Sequence, residues 1–148
     1  MEKFMKYIGQ IWRCANIYRA EMYEKLDIGP YQDSYILCIC NNPGISQEEI
    51  SKKLYVHKSS VARQLPSLEE KGFVTRMPDA RDKRILLVFP TEKALSAITE
   101  IRRIHEEWNN MITGGLSENE KDIFCSVCSK IAEKSRNTVG NKLREDNR

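Results

Sequence analysis

A short stretch that begins at Lys58 carries the side chains whose types and spacing are best suited to binding a polyanion. Ammonium, hydroxyl, guanidinium and amide groups recur there on what would be one polar helix face, and the set is Lys58, Ser59, Ser60, Arg63 and Gln64. Such donors bond to phosphates and base edges when a helix enters a major groove. The alternative is an ordinary solvated face, which this pattern alone would favour because such faces are common.

A charged turn, "RMPDARDKR", favours the nucleic-acid-binding interpretation over an ordinary solvated face. It is followed at once by the apolar run "ILLVF". Four basic residues stand against two acidic ones, which leaves a surplus of two positive charges; the residues are Arg76, Arg81, Lys83 and Arg84 against Asp79 and Asp82. A carboxylate beside an arginine fixes the direction of its guanidinium, and a directed arginine suits a narrow, negative minor groove. We expect Arg81 and Arg84 to enter that groove, with Asp82 orienting Arg84.

The elements that must position these groups follow from local signals. Ser46 and Glu49 form a capping box that opens a short helix from Gln47 to about Leu54. A second helix, from Lys58 to Lys71, is predicted by apolar residues on one face and a glycine at its end; these are Val61, Leu65, Leu68 and Gly72. Two helices joined this closely predict a helix-turn-helix.

Two extended segments come next and predict a hairpin whose loop is the charged turn. They are Phe73–Met77 and Arg84–Phe89, the second rich in β-branched and aromatic residues and ended by Pro90. The helix-turn-helix and hairpin together predict a winged helix. We include Ser46 and Gln47, at the start of the short helix, and Lys83 among the DNA contacts.

Helices are expected on both sides of this unit. An apolar stripe from Phe4 predicts a first helix, and the helical period that returns at Thr91 predicts one of about 22 residues, closed by Gly114 and Gly115. A second capping box at Ser117 opens the last helix, after which residues 139–148 are expected to fray. The fold class is mainly α with a small β-hairpin wing.

Composition excludes several classes of protein. With 148 residues, one domain is expected, and 41% apolar with 30% charged residues is typical of a globular chain. The apolar runs are too short to cross a bilayer, the N-terminus lacks a secretory signal, and five cysteines make an odd number. We expect a cytoplasmic protein without membrane association.

Enzymes are also excluded by the motifs that are missing. The sequence has no phosphate-binding loop, dinucleotide fingerprint, nucleophile elbow or HExxH zinc motif, and it has only two histidines. Cys125 and Cys128 form a CxxC without a second pair, which favours packing over zinc binding. We therefore expect no catalytic residue, no metal and no cofactor.

Residues Pro43–Ala94 resemble the winged-helix core of the MarR transcriptional regulators. The similarity lies in the helix "SQEEISKKL", the recognition helix "KSSVARQLPSLEEKG", the strand "FVTR", the Asp-x-Arg-Asp-x-Arg pattern at Asp79–Arg84 and the entry Thr91–Lys93 to the next helix. The resemblance implies a single domain over residues 1–148, with a DNA-binding core at 30–90 and dimerisation helices at 1–28 and 91–138. It also implies a homodimeric repressor of a pseudo-palindromic operator, released by a small aromatic or lipophilic effector.

The chain departs from the family pattern at two places in the recognition helix. Pro66 lies inside it, where the ring removes a hydrogen bond to the Ala62 carbonyl and should bend the helix away from its DNA-contacting end. His57 stands where the family has a better capping residue, so the helix is expected to start poorly.

Other residues could sense a ligand or an oxidant. An effector pocket could be lined by aromatic groups, although each also fits a plain core role; the candidates are Trp12, Tyr18, Tyr35, His105 and Trp108. Cys14 makes a thiol-based oxidant sensor an alternative, but its neighbours do not match the sensors that the resemblance suggests. A further alternative is a winged helix that binds protein, for which Arg81–Arg84 should be dispensable.

Overall fold

The computed structural model describes the backbone of residues 3–145 and the side chains of residues 3–140. The chain divides into two compact units, residues 1–108 and 109–148. The elements are α1 (Phe4–Glu24), α2 (Gln32–Asn41), β1 (Ile45–Ser46), α3 (Gln47–Leu54), α4 (Lys58–Glu70), β2 (Val74–Pro78), β3 (Leu86–Pro90), α5 (Glu92–Thr113) and α6 (Glu118–Glu145). The chain is mainly helical with one small antiparallel sheet, as predicted. None of the helices in the described ranges has the length and apolar character needed to cross a membrane.

The sheet has the strand order β1-β3-β2, and both pairings are antiparallel. The predicted hairpin is confirmed, but its strands end differently from the prediction because Arg84 belongs to the turn and not to β3. The Arg84 N–H donates to the Asp82 carboxylate over 3.0 Å, and the Ile85 N–H donates to the Asp82 carbonyl over 2.9 Å. We call residues 79–85 the wing turn. Strand β1 was not predicted, since two residues carry no alternation and β1 forms only by pairing with β3.

The core of the first unit is built around α4. Val61, Leu65 and Leu68 are fully buried, which confirms the apolar face predicted for this helix. They belong to a cluster of buried side chains drawn from α2, α3, the sheet and α5, including Ile36, Ile39, Ile50, Phe73, Val88, Ile101 and Ile104. Burying one face of α4 leaves its opposite face free for solvent or a partner.

Helix starts follow the local signals closely. The Glu49 N–H donates to the Ser46 hydroxyl, and the Glu49 carboxylate accepts from the Ser46 N–H over 2.9 Å, which confirms the capping box. His57 gives α4 no side-chain cap, as expected. The α-helix continues across Pro66 to Glu70, and the bend at Pro66 stays a prediction.

The second unit contains the end of α5 and the whole of α6. Its capping box is confirmed, because the Ser117 N–H donates to the Glu120 carboxylate over 2.8 Å and the Glu120 N–H donates to the Ser117 hydroxyl over 3.3 Å. The backbone of α6 is helical to Glu145, over most of the segment expected to fray, and no proline interrupts it there. Residues 146–148 lie outside the described residues.

Gly72 ends α4 in a backbone conformation that other residues avoid. Its φ is +76°, its N–H donates to the Glu69 carbonyl over 2.9 Å, and the Phe73 N–H donates to the Leu68 carbonyl over 2.9 Å. These two bonds form a Schellman motif, which satisfies the last carbonyls of the helix and turns the chain into β2.

Replacing Gly72 with alanine should destabilise the fold without a steric clash. A left-handed conformation costs a residue with a Cβ atom about 1–2 kcal/mol, and no heavy atom lies within 4 Å of a Cβ placed at Gly72. We expect Gly72→Ala to lower the free energy of unfolding by about this amount, measured by urea denaturation at fixed protein concentration. Gly115→Ala is the matched control, since Gly115 has open space and no positive φ. Equal stability of the two variants would contradict the prediction.

Candidate nucleic-acid interface

The outer face of α4 presents three of the predicted donors to solvent. Lys58, Ser59 and Arg63 are exposed, whereas Ser60 is half-buried. The Lys58 ammonium is 4.0 Å from the Glu48 carboxylate, at the limit of an ion pair. Arg63 makes no hydrogen bond or ion pair within the part of the chain that the structure describes. Its guanidinium is therefore available for an external anion.

Two other predicted contacts already have partners inside the protein. The amide oxygen of Gln64, which is half-buried, accepts a hydrogen bond from Gln32 over 3.3 Å. The Ser46 hydroxyl is held in the capping box and donates to the Glu49 carboxylate over 2.7 Å. The sequence pattern cannot reveal these hydrogen bonds, because a helical wheel shows the direction of a side chain but not the residue to which it bonds.

A shallow cleft connects the starts of the two helices of the helix-turn-helix. Its volume is about 340 Å³, and its lining includes Gln47 and Glu48 from α3 and Lys58, Ser59 and Ala62 from α4. Gln47 therefore lies beside the exposed donors of α4. The structure brings these predicted contacts together at one surface.

The wing turn holds its backbone with two aspartates and leaves its basic side chains outside. The Arg81 N–H donates to the Asp79 carboxylate over 2.7 Å. The Arg84 guanidinium donates to both carboxylate oxygens of Asp82, at 3.0 and 3.2 Å, while the Arg84 side chain stays 91% exposed. Hydrogen bonds from Arg84 lower the pKa of the Asp82 carboxyl. The predicted contact of Asp82 with Arg84 is present.

Arg76 does not belong to the tip, contrary to the charge pattern that grouped it with the turn. It lies on β2 and donates to the Glu69 carboxylate of α4 through Nε and Nη2, at 2.9 and 2.6 Å. Hydrogen bonds from Arg76 lower the pKa of Glu69. The surplus at the wing turn is therefore one positive charge, and Arg76 instead ties β2 to α4.

A partly buried polar cluster, composed of Arg19, Tyr23, Asp33 and His105, joins α1, α2 and α5. The Asp33 carboxylate oxygen Oδ2 is 2.9 Å from the Tyr23 hydroxyl, 3.0 Å from His105 Nε2 and 3.3 Å from Arg19 Nη1. His105 Nε2 is also 2.7 Å from the Tyr23 hydroxyl. The sequence placed His105 on an apolar stripe, and its partners lie 72 to 86 residues away in the chain.

The cluster favours an ionised Asp33. Burial acts to raise the pKa of this carboxyl, but hydrogen bonds from His105 and Tyr23 and the charge of Arg19 together lower it below its usual value. The pKa of Tyr23 is raised, first by burial and then by the Asp33 carboxylate. These directions favour an ionised Asp33 in contact with Tyr23, His105 and Arg19, and a Tyr23 that keeps its proton.

A larger cleft of about 590 Å³ lies beside this cluster, between the end of α1 and the start of α2. Its lining includes Arg19, Tyr23 and Asp33 of the cluster, Tyr31, and Lys71 at the end of α4. Tyr31 has φ +65°, a strained conformation for a bulky residue. Strained residues are common where ligands bind.

None of the five residues expected to line an effector pocket lines this cleft. Tyr35 is buried in the core, and Tyr18 packs against Trp108 with ring centroids 5.3 Å apart. Trp12 is exposed and stacks on Tyr31 at 6.4 Å. His105 reaches the cleft only through its cluster partners.

The cysteines of the described residues are all free thiols. Cys14 and Cys125 are exposed, Cys38 is buried, and Cys40 and Cys128 are half-buried. No group of three potential metal ligands occurs among the residues that the structure describes.

Known proteins share this fold and relate the chain to transcriptional regulators. A model of the MarR family matches residues 32–86, from the start of α2 to the start of β3. The uncharacterised HTH-type transcriptional regulator YybA of Bacillus subtilis (strain 168) is 29% identical over 131 residues, which cover 88% of this chain and 87% of YybA. A crystal structure of the transcriptional regulator SlyA is 29% identical, with a TM-score of 0.86 and 90% and 94% of the two chains covered.

A MarR family regulator of Listeria monocytogenes, crystallised with 26mer DNA, is similar over nearly all of both chains. It is 26% identical, with a TM-score of 0.86 and 96% of each chain covered. The similarity therefore extends beyond the winged helix to the flanking helices.

Replacing Asp33 with asparagine should reduce stability in a pH-dependent way. The pKa of Asp33 is lower in the folded protein, so ionised Asp33 stabilises the fold above the ordinary carboxyl value of about 4, and this stabilisation is lost as the pH falls through the folded-state pKa. We expect Asp33→Asn to lower the free energy of unfolding by about 2 kcal/mol at pH 7, a typical loss for hydrogen bonds to a charged group. The difference from the unaltered protein should shrink below about pH 4.

Chemical denaturation from pH 7 to pH 3 measures this difference. Asp122→Asn is the matched control, because Asp122 is exposed and has no hydrogen bond or ion pair in the described part of the chain. A loss of stability that stayed constant across the pH range would contradict an ionised Asp33 as the source.

Proposed function

The chain belongs to the MarR family of winged helix-turn-helix, DNA-binding transcriptional regulators and is not an enzyme; from this premise we propose that it is a homodimeric repressor of a pseudo-palindromic operator. The observation that carries the proposal is the pairing of two exposed basic elements on one unit. Arg63 on α4 has no partner among the described residues, and Arg84 on the wing turn is directed by Asp82. These are suited to a major and an adjacent minor groove.

Each contact has a role in this proposal. Ser59 and Arg63 read base edges and phosphates from the exposed face of α4, with Lys58 and Gln47 beside them on phosphates. Arg81, Lys83 and Arg84 approach the minor groove from the wing turn. Gln64 and Ser46 make contacts within the protein instead, because their side-chain oxygens are already hydrogen-bonded to Gln32 and Glu49.

Exposed apolar side chains on the terminal helices support a homodimer. On α1, Met5, Ile8, Ile11 and Trp12 are exposed, and on α6 Ile123, Phe124 and Val127 are exposed. Apolar stripes of this kind on soluble proteins commonly mark interaction surfaces. A second copy of the chain would cover them and would pair two α4 helices with two operator half-sites.

The cleft beside the polar cluster supports release by a small effector. It has a volume of about 590 Å³, a mainly apolar wall and a few convergent polar groups, which is the usual character of a small-molecule site. Tyr31 offers an aromatic face there. We propose that an aromatic or lipophilic compound binds in this cleft and lowers the affinity for DNA.

Selection of random duplex DNA by the purified, reduced protein tests the function directly. We expect enrichment of a pseudo-palindrome, bound with a stoichiometry of two chains per duplex in light scattering. Anisotropy titration should show a preference for the selected site over unrelated DNA of about a thousandfold or more, and the same complex serves to screen aromatic compounds for release. Failure to enrich any sequence would favour the rival interpretation, a winged helix that binds protein.

Replacing Arg84 with alanine should weaken binding and reduce its salt dependence. A basic residue that neutralises one phosphate contributes about one unit to the slope of log affinity against log salt concentration, so the slope of a dimer should fall by about two. Arg102→Ala is the matched control, since Arg102 is an exposed arginine on α5 without an ion pair in the described residues. An unchanged slope for Arg84→Ala would mean that the wing turn does not contact the DNA.

A further inference from the structure

A buried amide at the start of α2 connects the recognition helix with the wall of the cleft. Gln32 is 3% exposed, and its Oε1 accepts from the Gly29 N–H over 2.8 Å and from the Lys71 ammonium over 3.2 Å. Its Nε2 lies 3.1 Å from the Ser67 hydroxyl and 3.3 Å from the Gln64 amide oxygen. The amide oxygen and the amide nitrogen of Gln32 therefore have two partners each, which uses the two acceptor sites and the two N–H donors of a glutamine side chain.

Three of these four partners lie on α4 or at its end. Gln64, Ser67 and Lys71 are spaced three and four residues apart, so they form one stripe along the helix. The stripe lies between the buried stripe of Val61, Leu65 and Leu68 and the exposed Arg63, which is four residues before Ser67. Gln32 thus bonds to the side of α4 and leaves its exposed face free.

Apolar burial and hydrogen bonds constrain a helix in different ways. The hydrophobic effect that holds Val61, Leu65 and Leu68 is non-directional, so it tolerates small rotations of α4 about its axis. Hydrogen bonds to a buried amide are directional and costly to leave unmade. A rotation of α4 would break the bonds to Gln64 and Ser67 together.

We propose that Gln32 is a positioning residue for DNA recognition, which fixes the rotation of α4 and thereby the direction in which Ser59 and Arg63 face the operator. The inference rests on the proposed DNA-binding function for its readout, although its structural part can be measured without DNA. Gln32 does not touch the nucleic acid. It acts through Gln64 and Ser67.

The first test compares two substitutions of Gln32 by affinity for the selected operator and for unrelated duplex. Gln32→Met keeps the length of the side chain and removes all four hydrogen bonds. We expect the ratio of specific to non-specific affinity to fall about tenfold, the equivalent of one hydrogen bond of about 1.4 kcal/mol. Affinity for unrelated duplex, which depends on phosphate contacts, should change little.

Gln32→Glu is the conservative variant and should restore selectivity to within about threefold. Its carboxylate still accepts from Gly29 and Lys71, and the Gln64 amide and the Ser67 hydroxyl can reverse and donate to it. A purely structural role would lower the melting temperature of Gln32→Met while leaving the affinity ratio unchanged, and that result would overturn the proposal.

A second pair of variants covers the case in which Gln32→Met does not fold. Ser67→Ala removes one partner of the amide and should lower the affinity ratio two- to threefold. Ser34→Ala is the matched control, because Ser34 lies on the same helix as Gln32 but its hydroxyl donates to the Tyr31 carbonyl at the surface and not to α4. Equal ratios for these two serine variants would also overturn the proposal.

Hydrogen exchange of the α4 amides separates this proposal from the proposed function. We expect faster exchange in α4 for Gln32→Met than for Gln32→Glu in the absence of DNA. If α4 exchanges faster in Gln32→Met but the unaltered protein selects no operator, Gln32 still positions α4 and the proposed DNA-binding function is rejected. Unchanged exchange would reject the positioning role whatever the DNA results are.

Discussion

Helix α4 has to bury one face and keep the other free, and most of the first unit serves that constraint. Val61, Leu65 and Leu68 hold the helix against side chains from α2, α3, the sheet and α5. Gly72 then stops the helix and turns the chain into the wing. Because the core is built around this buried face, a loss of its packing would affect the helix-turn-helix and the sheet together.

Hydrogen bonds and ion pairs add to this packing a directional constraint, which the hydrophobic effect cannot supply. The bond between Arg76 and Glu69 ties β2 to α4, and the Gln32 amide ties α2 to α4. The polar cluster around Asp33 ties α2 to α1 and α5. Buried ionic groups are weak evidence for stability, since their desolvation offsets much of their attraction, but a broken partner is costly. These contacts therefore stabilise one arrangement of the helices and destabilise slightly shifted arrangements, in which a partner would be left without its bond.

The parts of the fold that were predictable depend on signals within a few residues. The capping boxes at Ser46 and Ser117, the apolar stripe of α4 and the glycine at its end are local patterns, and all were found in the sequence. Strand β1 and the partners of Arg76 and Gln32 were not, because they depend on pairing between distant segments. The cleft was missed for the same reason: its walls come from α1, α2 and the end of α4, and none of the aromatic residues chosen by type lines it.

Placement of charge matters more for this protein than its amount. A net charge of +3 is too small to make general attraction to DNA decisive. Several of the basic side chains near α4 are already committed: Lys52 pairs with Glu48, Arg76 with Glu69, and Lys71 with Asp27. Other exposed basic side chains lie at the start of α4 and on the wing turn. In the proposed complex with DNA, pairing of the other basic side chains with carboxylates of the same chain lowers non-specific attraction, so a larger share of the binding free energy comes from groups that must meet the right base sequence or groove shape.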